Sequence, residues 1–351
     1  MSHIAAPVSQ RSNYRFAQPS SASTWEFGRG FPFADAVQEE PVTGQRDGLL
    51  ARLTARGKTP KIFYTNSGVE YRRGGGALIH TDPAVQADVD FPDNVRGYFM
   101  AGTQHGSGTL PLTDVNALNG SRTRYAFNSL GYGPLLRAAL VNLDQWVTDG
   151  TEPPASRVPR FSDGTLVPTE TAVAVHATIP GVTLPSEWDR VLRLDFGPGA
   201  AEGRLDILPP RVVGEPYPAL VSAVDGDGND LAGIRLPDVA VPLATFTAWN
   251  LRHPDMGAPD LLVLITGATH PFPRTAAERQ ASGDPRPSIE ERYASKGDYL
   301  EQVRQAAADL VAQRYLLAED VEPIVEQSAL RWDQFTAVPE QTPVLVAEGS
   351  A

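Results

Sequence analysis

The sequence predicts an α/β fold because two strand-like runs are combined with helices of regular apolar spacing. Residues 61–65 and 95–101 are short runs rich in β-branched and aromatic side chains, a composition typical of strands. Residues 134–147 carry apolar side chains at the spacing of an amphipathic helix. Residues 299–317 and 321–332 show the same helical spacing near the C-terminal end. Strands and helices in one chain, with no internal repeat, favour the α/β class.

The composition is that of a globular protein with many loops. The 351 residues include 41% hydrophobic side chains, which is enough for a substantial core. Glycine and proline number 31 each, a high share that favours turns and irregular loops. The 42 acidic and 30 basic residues give a net charge of -12, which disfavours nucleic acid as a partner. No apolar run reaches the roughly 20 residues that a membrane-spanning helix needs.

The sequence argues against several classes of site. The chain has no cysteine, so disulfides, thiolate nucleophiles and cysteine-built metal sites are absent. His80, His176 and His253 lack the close spacing of histidine metal ligands, and there is no glycine-rich phosphate loop. We therefore expect neither a metal nor a cofactor. The first 20 residues show neither the basic nor the apolar part of a secretory signal.

We predict two regions in the chain. Residues 1–150 hold both strand-like runs, the first helix and a polar and aromatic stretch at 11–59, which we interpret as a cap loop. Residues 151–351 form an extension that is β-rich over about 157–252 and helical over about 288–335. The predicted strands of the extension are residues 171–179, 191–196, 205–208, 219–224 and 239–247.

A candidate acid and a candidate base follow the two strand-like runs. Glu70 lies just beyond residues 61–65, and His105 lies in the glycine-flanked loop after residues 95–101. An acid and then a histidine, each at a strand end, is the order in which α/β-hydrolases present two of their three catalytic residues. Such a histidine suits a general base whose other ring nitrogen is held by a carboxylate. The alternatives are a histidine that only hydrogen-bonds its loop and an ordinary surface acid.

Other acids and hydroxyls near these residues compete for catalytic roles. Asp82, Asp88 and Asp93 lie in the same connection as Glu70. No serine stands in the Gly-x-Ser-x-Gly pattern that exposes the nucleophile of an α/β-hydrolase. Ser67 and Ser107 are the nearest imitations, and we interpret both as turn residues.

Two further motifs are interpreted as structural. Residues 225–230 resemble the start of a calcium loop, but Asp230 and Leu236 stand where that loop needs glycine and glutamate. A polar hairpin turn is predicted there instead. His270 follows an apolar run and has no partner at ligand spacing, so we interpret it as a supporting residue.

Strings of residues along nearly the whole chain resemble a bacterial family of α/β-hydrolase-domain proteins. They include HIAAP, NYRFAQPS, DGLLAR, PKIFYTNSGVEY, LIHTD, AGTQHG, DGTEPPASR, DGDGN, AGIRLP, TAWNLR and DPRPSIEERY. The resemblance implies an esterase-like hydrolase that cleaves a small-molecule carboxylic ester by a Ser-His-acid mechanism. His105 is carried over from the string AGTQHG, and Glu70 from the string TNSGVEY.

The chain departs from the family pattern at its beginning. That pattern places a nucleophile elbow and several strands before the segment that matches HIAAP, with which this chain begins. We therefore expect a partial α/β-hydrolase fold, the C-terminal portion of such a protein, without its serine nucleophile. A second hypothesis is a non-catalytic relative that binds a ligand or a partner. A third is a metal hydrolase.

Overall fold

A computed structural model describes residues 1–3, 30–73, 75–202, 204, 206–207 and 209–337. The strands are β1 (Ser2–His3), β2 (Gln38–Glu39), β3 (Arg46–Asp47), β4 (Ile62–Ser67), β5 (Val95–Met100), β6 (Leu166–Pro168), β7 (Leu194–Asp195), β8 (Arg211–Val212), β9 (Leu220–Ser222), β10 (Ala244–Thr247) and β11 (Ala268–Pro271). The helices are α1 (Ala51–Ala55), α2 (Gly68–Arg72), α3 (Gly133–Thr148), α4 (Thr169–His176), α5 (Pro237–Ala240), α6 (Ala276–Ser282), α7 (Ile289–Arg292), α8 (Lys296–Ala312) and α9 (Val321–Thr336).

The central element is a parallel sheet in the order β1-β4-β5. The two strands predicted from the sequence form its longer part, and β4 runs two residues beyond the prediction, to Ser67. Ile62 pairs with Val95, and Ser67 pairs with Met100. The carboxyl ends of both strands therefore lie side by side, which is where α/β proteins place their sites.

Residues beyond position 150 also join this sheet. Arg157 forms a parallel bridge with Tyr98, and Ile234 forms one with Met100. The Ile234 N–H donates to Phe99 O at 2.7 Å. Backbone from the predicted extension therefore extends the sheet on the β5 side. The remaining described strand pairs are antiparallel two-stranded ribbons: β2 with β3, β6 with β9, β7 with β8 and β10 with β11.

The predicted long helices are confirmed as α3, α8 and α9, although α8 begins and ends earlier than predicted. On one side of the sheet, Phe63 packs edge-on against Tyr98, with ring centroids 5.2 Å apart, and lies 5.8 Å from Trp146 of α3. Tyr299 of α8 and Trp332 of α9 stack at 5.2 Å. Helical periodicity predicted these elements well because each buries one continuous apolar stripe.

The strand predicted at residues 171–179 is wrong, because this segment lies largely in helix α4. Its β-branched and alternating composition indicated a strand, but the buried side chains are Thr169, Ala172, Val173 and His176, which follow helical spacing. Glu170 in the first turn suits the positive end of the helix dipole. The segment predicted as β-rich therefore mixes short strands with two helices, α4 and α5.

The predicted cap loop is only partly within the described residues, because residues 11–29 lie outside them. Its later part contains β2, β3 and α1. Phe33 is buried, and its ring packs edge-on against Tyr217 at 5.0 Å. This part of the segment therefore packs on the core. In the portion of the chain described by the structure, no helix has the length and apolarity needed to cross a membrane.

Candidate functional site

The candidate acid lies on α2, which begins directly at the carboxyl end of β4. Ser67 is the last strand residue and caps the helix, and Gly68 opens it. A Cβ at position 68 would meet Ala248 Cβ at 2.6 Å and Thr103 O at 3.1 Å, so a glycine is needed there. The Gly68 N–H donates to Thr103 O at 3.0 Å. This contact ties the start of the acid-bearing helix to the histidine loop.

Glu70 and His105 are in direct contact. Glu70 Oε1 lies 2.9 Å from His105 Nδ1. Glu70 Oε2 accepts the Ser67 backbone N–H at 2.8 Å and the Ser67 hydroxyl at 2.5 Å. Burial disfavours the charged form of Glu70, but the hydrogen bonds from His105 and Ser67 outweigh it and hold its pKa below the ordinary value. The carboxyl group is therefore an anion fixed at both oxygens.

The imidazole of His105 has one nitrogen bound and one available. Because Glu70 is ionised, the proton of the neutral imidazole lies on Nδ1, which donates a hydrogen bond to the carboxylate. The lone pair of Nε2 is then free. Among the described residues, none forms a hydrogen bond with Nε2. The side chain is 31% exposed, compared with 4% for Glu70. A half-buried imidazole with a free lone pair can remove a proton from an incoming hydroxyl.

The backbone around His105 is fixed by contacts of its own. Gly102 turns the chain after β5 with φ +71°, a conformation that favours glycine. The Tyr132 hydroxyl donates to His105 O. Burial, and then the Glu70 charge, raise the pKa of this tyrosine to about 12, so it stays a neutral donor. The loop is therefore held at the carbonyl group of its histidine.

Helix α2 is anchored by a fully buried arginine. Arg72 Nε donates to Ala248 O, Nη2 to Leu264 O and Nη1 to Asp189 Oδ2, each at 3.1 Å. Burial lowers the pKa of Arg72 to about 10, although the nearby Asp189 carboxylate opposes this. The guanidinium thus remains charged at neutral pH and fixes the helix that carries Glu70.

Of the three competing acids, two accept hydrogen bonds from other backbone groups and the third is exposed. Asp82 accepts backbone N–H groups of its own turn, among them that of Gln86 at 2.7 Å. Asp88 accepts the N–H groups of Phe161 and Ser162, each at 2.9 Å. Asp93 is exposed. Of the predicted acids, Glu70 is the one that contacts His105 in the structure.

The two serines near the pair differ in their surroundings. The Ser67 hydroxyl is buried and donates to Glu70, so Ser67 supports the acid. It lies at a strand-to-helix junction, where a turn was predicted. The Ser-x-x-Glu spacing of residues 67–70 is the sequence pattern of a capping box, and it indicates a helix start here instead of a turn. Ser107 is exposed, in the loop two residues beyond His105.

The other histidines have separate environments. His270 is buried and its ring lies 4.8 Å from that of Tyr125. His80 Nε2 lies 2.8 Å from the Tyr71 hydroxyl, and His176 Nε2 lies 2.9 Å from Gly228 O. Within the described residues, no group of histidine and carboxylate side chains has an arrangement that could hold a metal ion.

Comparison with known families gives a match over most of the chain. The model of a family described as alpha/beta hydrolase domain matches residues 22–326. The chain belongs to this α/β-hydrolase family. Comparisons with curated proteins and with solved structures gave no match. In this member of the α/β-hydrolase family, Glu70 and then His105 follow two neighbouring parallel strands.

Proposed function

We propose that Glu70 and His105 are the orienting acid and the general base of a carboxylic-ester hydrolase. The observation that carries this proposal is the 2.9 Å contact between Glu70 Oε1 and His105 Nδ1. It fixes the imidazole tautomer with the free lone pair on Nε2, which is the form that a general base needs. The membership of the α/β-hydrolase family adds independent support.

The proposed reaction uses a serine hydroxyl from outside the described residues. As the serine oxygen attacks the ester carbonyl, its proton passes to His105 Nε2. The imidazolium is then stabilised by the Glu70 carboxylate and gives the proton to the leaving alkoxide, which departs as the alcohol. Water attacks the acyl-enzyme in the same way, with His105 first accepting and then returning a proton, and releases the carboxylic acid.

Neither Ser67 nor Ser107 is assigned as the nucleophile. The Ser67 hydroxyl donates to Glu70 and not to His105, so its proton is directed at the acid. Ser107 follows both Glu70 and His105 in sequence, whereas an α/β-hydrolase has its serine upstream of acid and histidine. The chain contains no Gly-x-Ser-x-Gly pattern.

Ester turnover with matched histidine variants tests the proposal. We expect the protein to hydrolyse p-nitrophenyl acetate and His105→Ala to lower kcat by about 10²–10⁴-fold, the usual share of general acid–base catalysis. His253→Ala is the control, because this histidine caps an exposed 3₁₀ turn and pairs with Asp255. Equal turnover in His105→Ala and the parent protein would refute the role of His105.

A second candidate is a non-catalytic α/β-hydrolase relative that binds a ligand or partner. It is favoured by the engagement of the Ser67 hydroxyl with Glu70, which leaves the base without a hydroxyl partner among the described residues. Treatment with a fluorophosphonate, followed by peptide mass spectrometry, separates the candidates. A labelled serine whose modification requires His105 supports the hydrolase, and a folded protein without label or turnover supports the binding protein.

A further inference from the structure

The loop that carries His105 is held at each residue from 102 to 105. Gly102 N–H donates to Asp230 Oδ2 at 2.7 Å, and Gly102 O accepts from Asn128 Nδ2 at 2.6 Å. Each of the three following residues accepts one hydrogen bond. Thr103 O accepts from the Gly68 N–H, Gln104 Oε1 accepts from the Gly267 N–H, and His105 O accepts from the Tyr132 hydroxyl. Asp230 supplies the one ionisable carboxyl group among these contacts. It is also 128 residues from Gly102 in sequence.

Asp230 is aimed at Gly102 by a hairpin that is fixed to two strands. Val224 and Asp230 form an antiparallel bridge, which confirms the polar turn predicted at residues 225–230. The fully buried Asn229 donates to Ala244 O at 3.0 Å and accepts from Phe246 N at 2.9 Å, which ties the hairpin to β10. Beyond the hairpin, Ile234 pairs with the end of β5. The carboxyl group is therefore preorganised beside the first residue of the loop.

We propose that Asp230 is a positioning residue for His105, because its carboxylate holds the Gly102 N–H and so sets where the loop places the imidazole. This inference rests on the proposed role of His105 as general base. A buried N–H that loses its acceptor is destabilised, and the loop can relieve this by moving. A displacement of about 1 Å in a catalytic group can lower the rate by roughly 10²-fold.

A cavity beside Asp230 gives the carboxyl group a mixed environment. Apolar side chains dominate its lining, including Phe246, Trp188 and Trp249, and it also reaches Gly68 at the start of α2. Burial raises the pKa of Asp230 to about 7, and the nearby charge of Asp225 also raises it. The hydrogen bond from the Gly102 N–H and the charge of Arg235 lower it. Arg72 and His176 also line the cavity. Burial thus favours the neutral form of the carboxyl group that makes the Gly102 contact.

Histidine side-chain spectra test the proposal without relying on turnover. The protein is labelled with [15N]histidine. The Nδ1 signal of His105 is the one that disappears in His105→Asn. The Glu70→Gln variant provides the reference signal of this imidazole without its carboxylate partner. At pH 8 we expect Asp230→Ala to move the His105 signal towards that of Glu70→Gln. Asp230→Asn keeps an oxygen acceptor for Gly102 and should resemble the parent protein. Asp227→Asn, which removes a carboxylate of the same hairpin that pairs with Arg292, is the matched control.

A His105 signal in Asp230→Ala that equals that of the parent protein would overturn the proposal. In ester assays we expect Asp230→Ala to lower kcat by roughly 10–10²-fold with KM nearly unchanged, and Asp230→Asn to restore it. If the parent protein has no ester turnover, the proposed function fails, while the histidine spectra still decide whether Asp230 positions the imidazole.

A second measurement needs only the near-isosteric Asp230→Asn variant and thus avoids a folding defect in Asp230→Ala. Labelling with [1-13C]alanine and [15N]glycine selects the two Ala-Gly amides, those of Gly102 and Gly233. We expect the Gly102 amide shift to titrate with a midpoint of about 7 in the parent protein and to lose this titration in Asp230→Asn. A Gly102 shift that is the same function of pH in both proteins would contradict the contact on which the proposal rests.

Discussion

Glu70 Oε1 lies 2.9 Å from His105 Nδ1 across the carboxyl ends of two neighbouring parallel strands. The two residues are separated by 35 positions in sequence, and each comes from a different strand end. The other Glu70 oxygen is fixed by Ser67, so the carboxylate has little freedom to turn away from the imidazole. Substitution of Glu70, His105 or Ser67 therefore removes a different contact of this arrangement.

Glu70→Gln should lower kcat for ester hydrolysis by about 10²–10⁴-fold and leave KM nearly unchanged. The amide carries no charge to stabilise the imidazolium, and it can present an N–H where His105 needs an acceptor. Steady-state kinetics on p-nitrophenyl acetate measure both constants. Glu291→Gln is the matched control, because Glu291 completes the same kind of capping box with Ser288 on α7. A similar loss of kcat in both variants would show that a general effect on folding is responsible.

Ser67→Ala should keep most of the turnover and lower the free energy of unfolding by about 1 kcal/mol. The hydroxyl donates to Glu70 and contributes one buried hydrogen bond, which has about this net value. Removal of a serine nucleophile would instead lower turnover by about a million-fold. Urea unfolding and ester kinetics on Ser67→Ala and on the control Ser288→Ala separate the two effects. A loss of turnover beyond about a thousandfold would return Ser67 to consideration as nucleophile.

The parallel strands and the long helices were predictable from sequence because each has a local signature. The runs before Glu70 and His105 are β-branched and aromatic, and α3 carries an apolar stripe. Their adjacency was expected from the order of acid and histidine. Helix α4 was missed because its β-branched side chains favour strands locally, whereas tertiary burial of one helical face decides its structure.

The contacts that fix the His105 loop could not be predicted from sequence. Asp230 reaches Gly102 over 128 residues, and Asn128 is 26 residues from the same glycine. No local periodicity encodes which of many polar side chains meets a given N–H group, because the choice depends on how the hairpin and β5 pack together. Such long-range polar contacts follow from tertiary structure alone.

Arg331→Met should lower the free energy of unfolding by about 3–5 kcal/mol, because it leaves the Asp238 carboxylate buried without its charged partner. Arg331 on α9 also donates to Ser129 O at 3.2 Å, so it links the C-terminal helix to the segment that precedes α3. Arg304→Met is the control, since Arg304 pairs with Glu322 at the surface and should cost at most about 1 kcal/mol.

Chemical denaturation with tryptophan fluorescence measures the Arg331 effect. A single transition that shifts as a whole would indicate that the C-terminal helices and the sheet unfold as one cooperative unit. A separate early transition in Arg331→Met, with the second one unmoved, would contradict it.

Glu70 should make the free energy of unfolding depend on pH in the acid range. Its pKa is lower in the folded protein than its ordinary value of 4.5, because the hydrogen bonds from His105 and Ser67 outweigh burial. Its stabilising contribution is therefore complete above about pH 4.5 and disappears as the pH falls through the folded pKa. Urea unfolding at pH 3 to 7 should show the stability difference between the parent protein and Glu70→Gln shrinking towards low pH. A difference that grows on acidification would contradict the prediction.

Asp230 should have the opposite effect on the pH dependence of the free energy of unfolding. Burial raises its pKa from 3.8 to about 7 in the folded protein, so between these values the folded state binds more protons than the unfolded state. Stability from this group is therefore largest in acid and falls as the pH rises towards 7, by at most about 1.4 kcal/mol per pH unit. Asp230→Asn removes the titration.

The parent protein should consequently lose stability relative to Asp230→Asn between pH 4 and 7, and the difference should level off above pH 7. Asp227→Asn tests whether any carboxylate of the hairpin would do the same. Asp227 is bound by both Nη1 and Nη2 of Arg292, so Asp227→Asn should destabilise the hairpin through the loss of this ion pair. A flat difference for Asp230→Asn over the whole range would contradict the raised pKa of Asp230 in the folded protein.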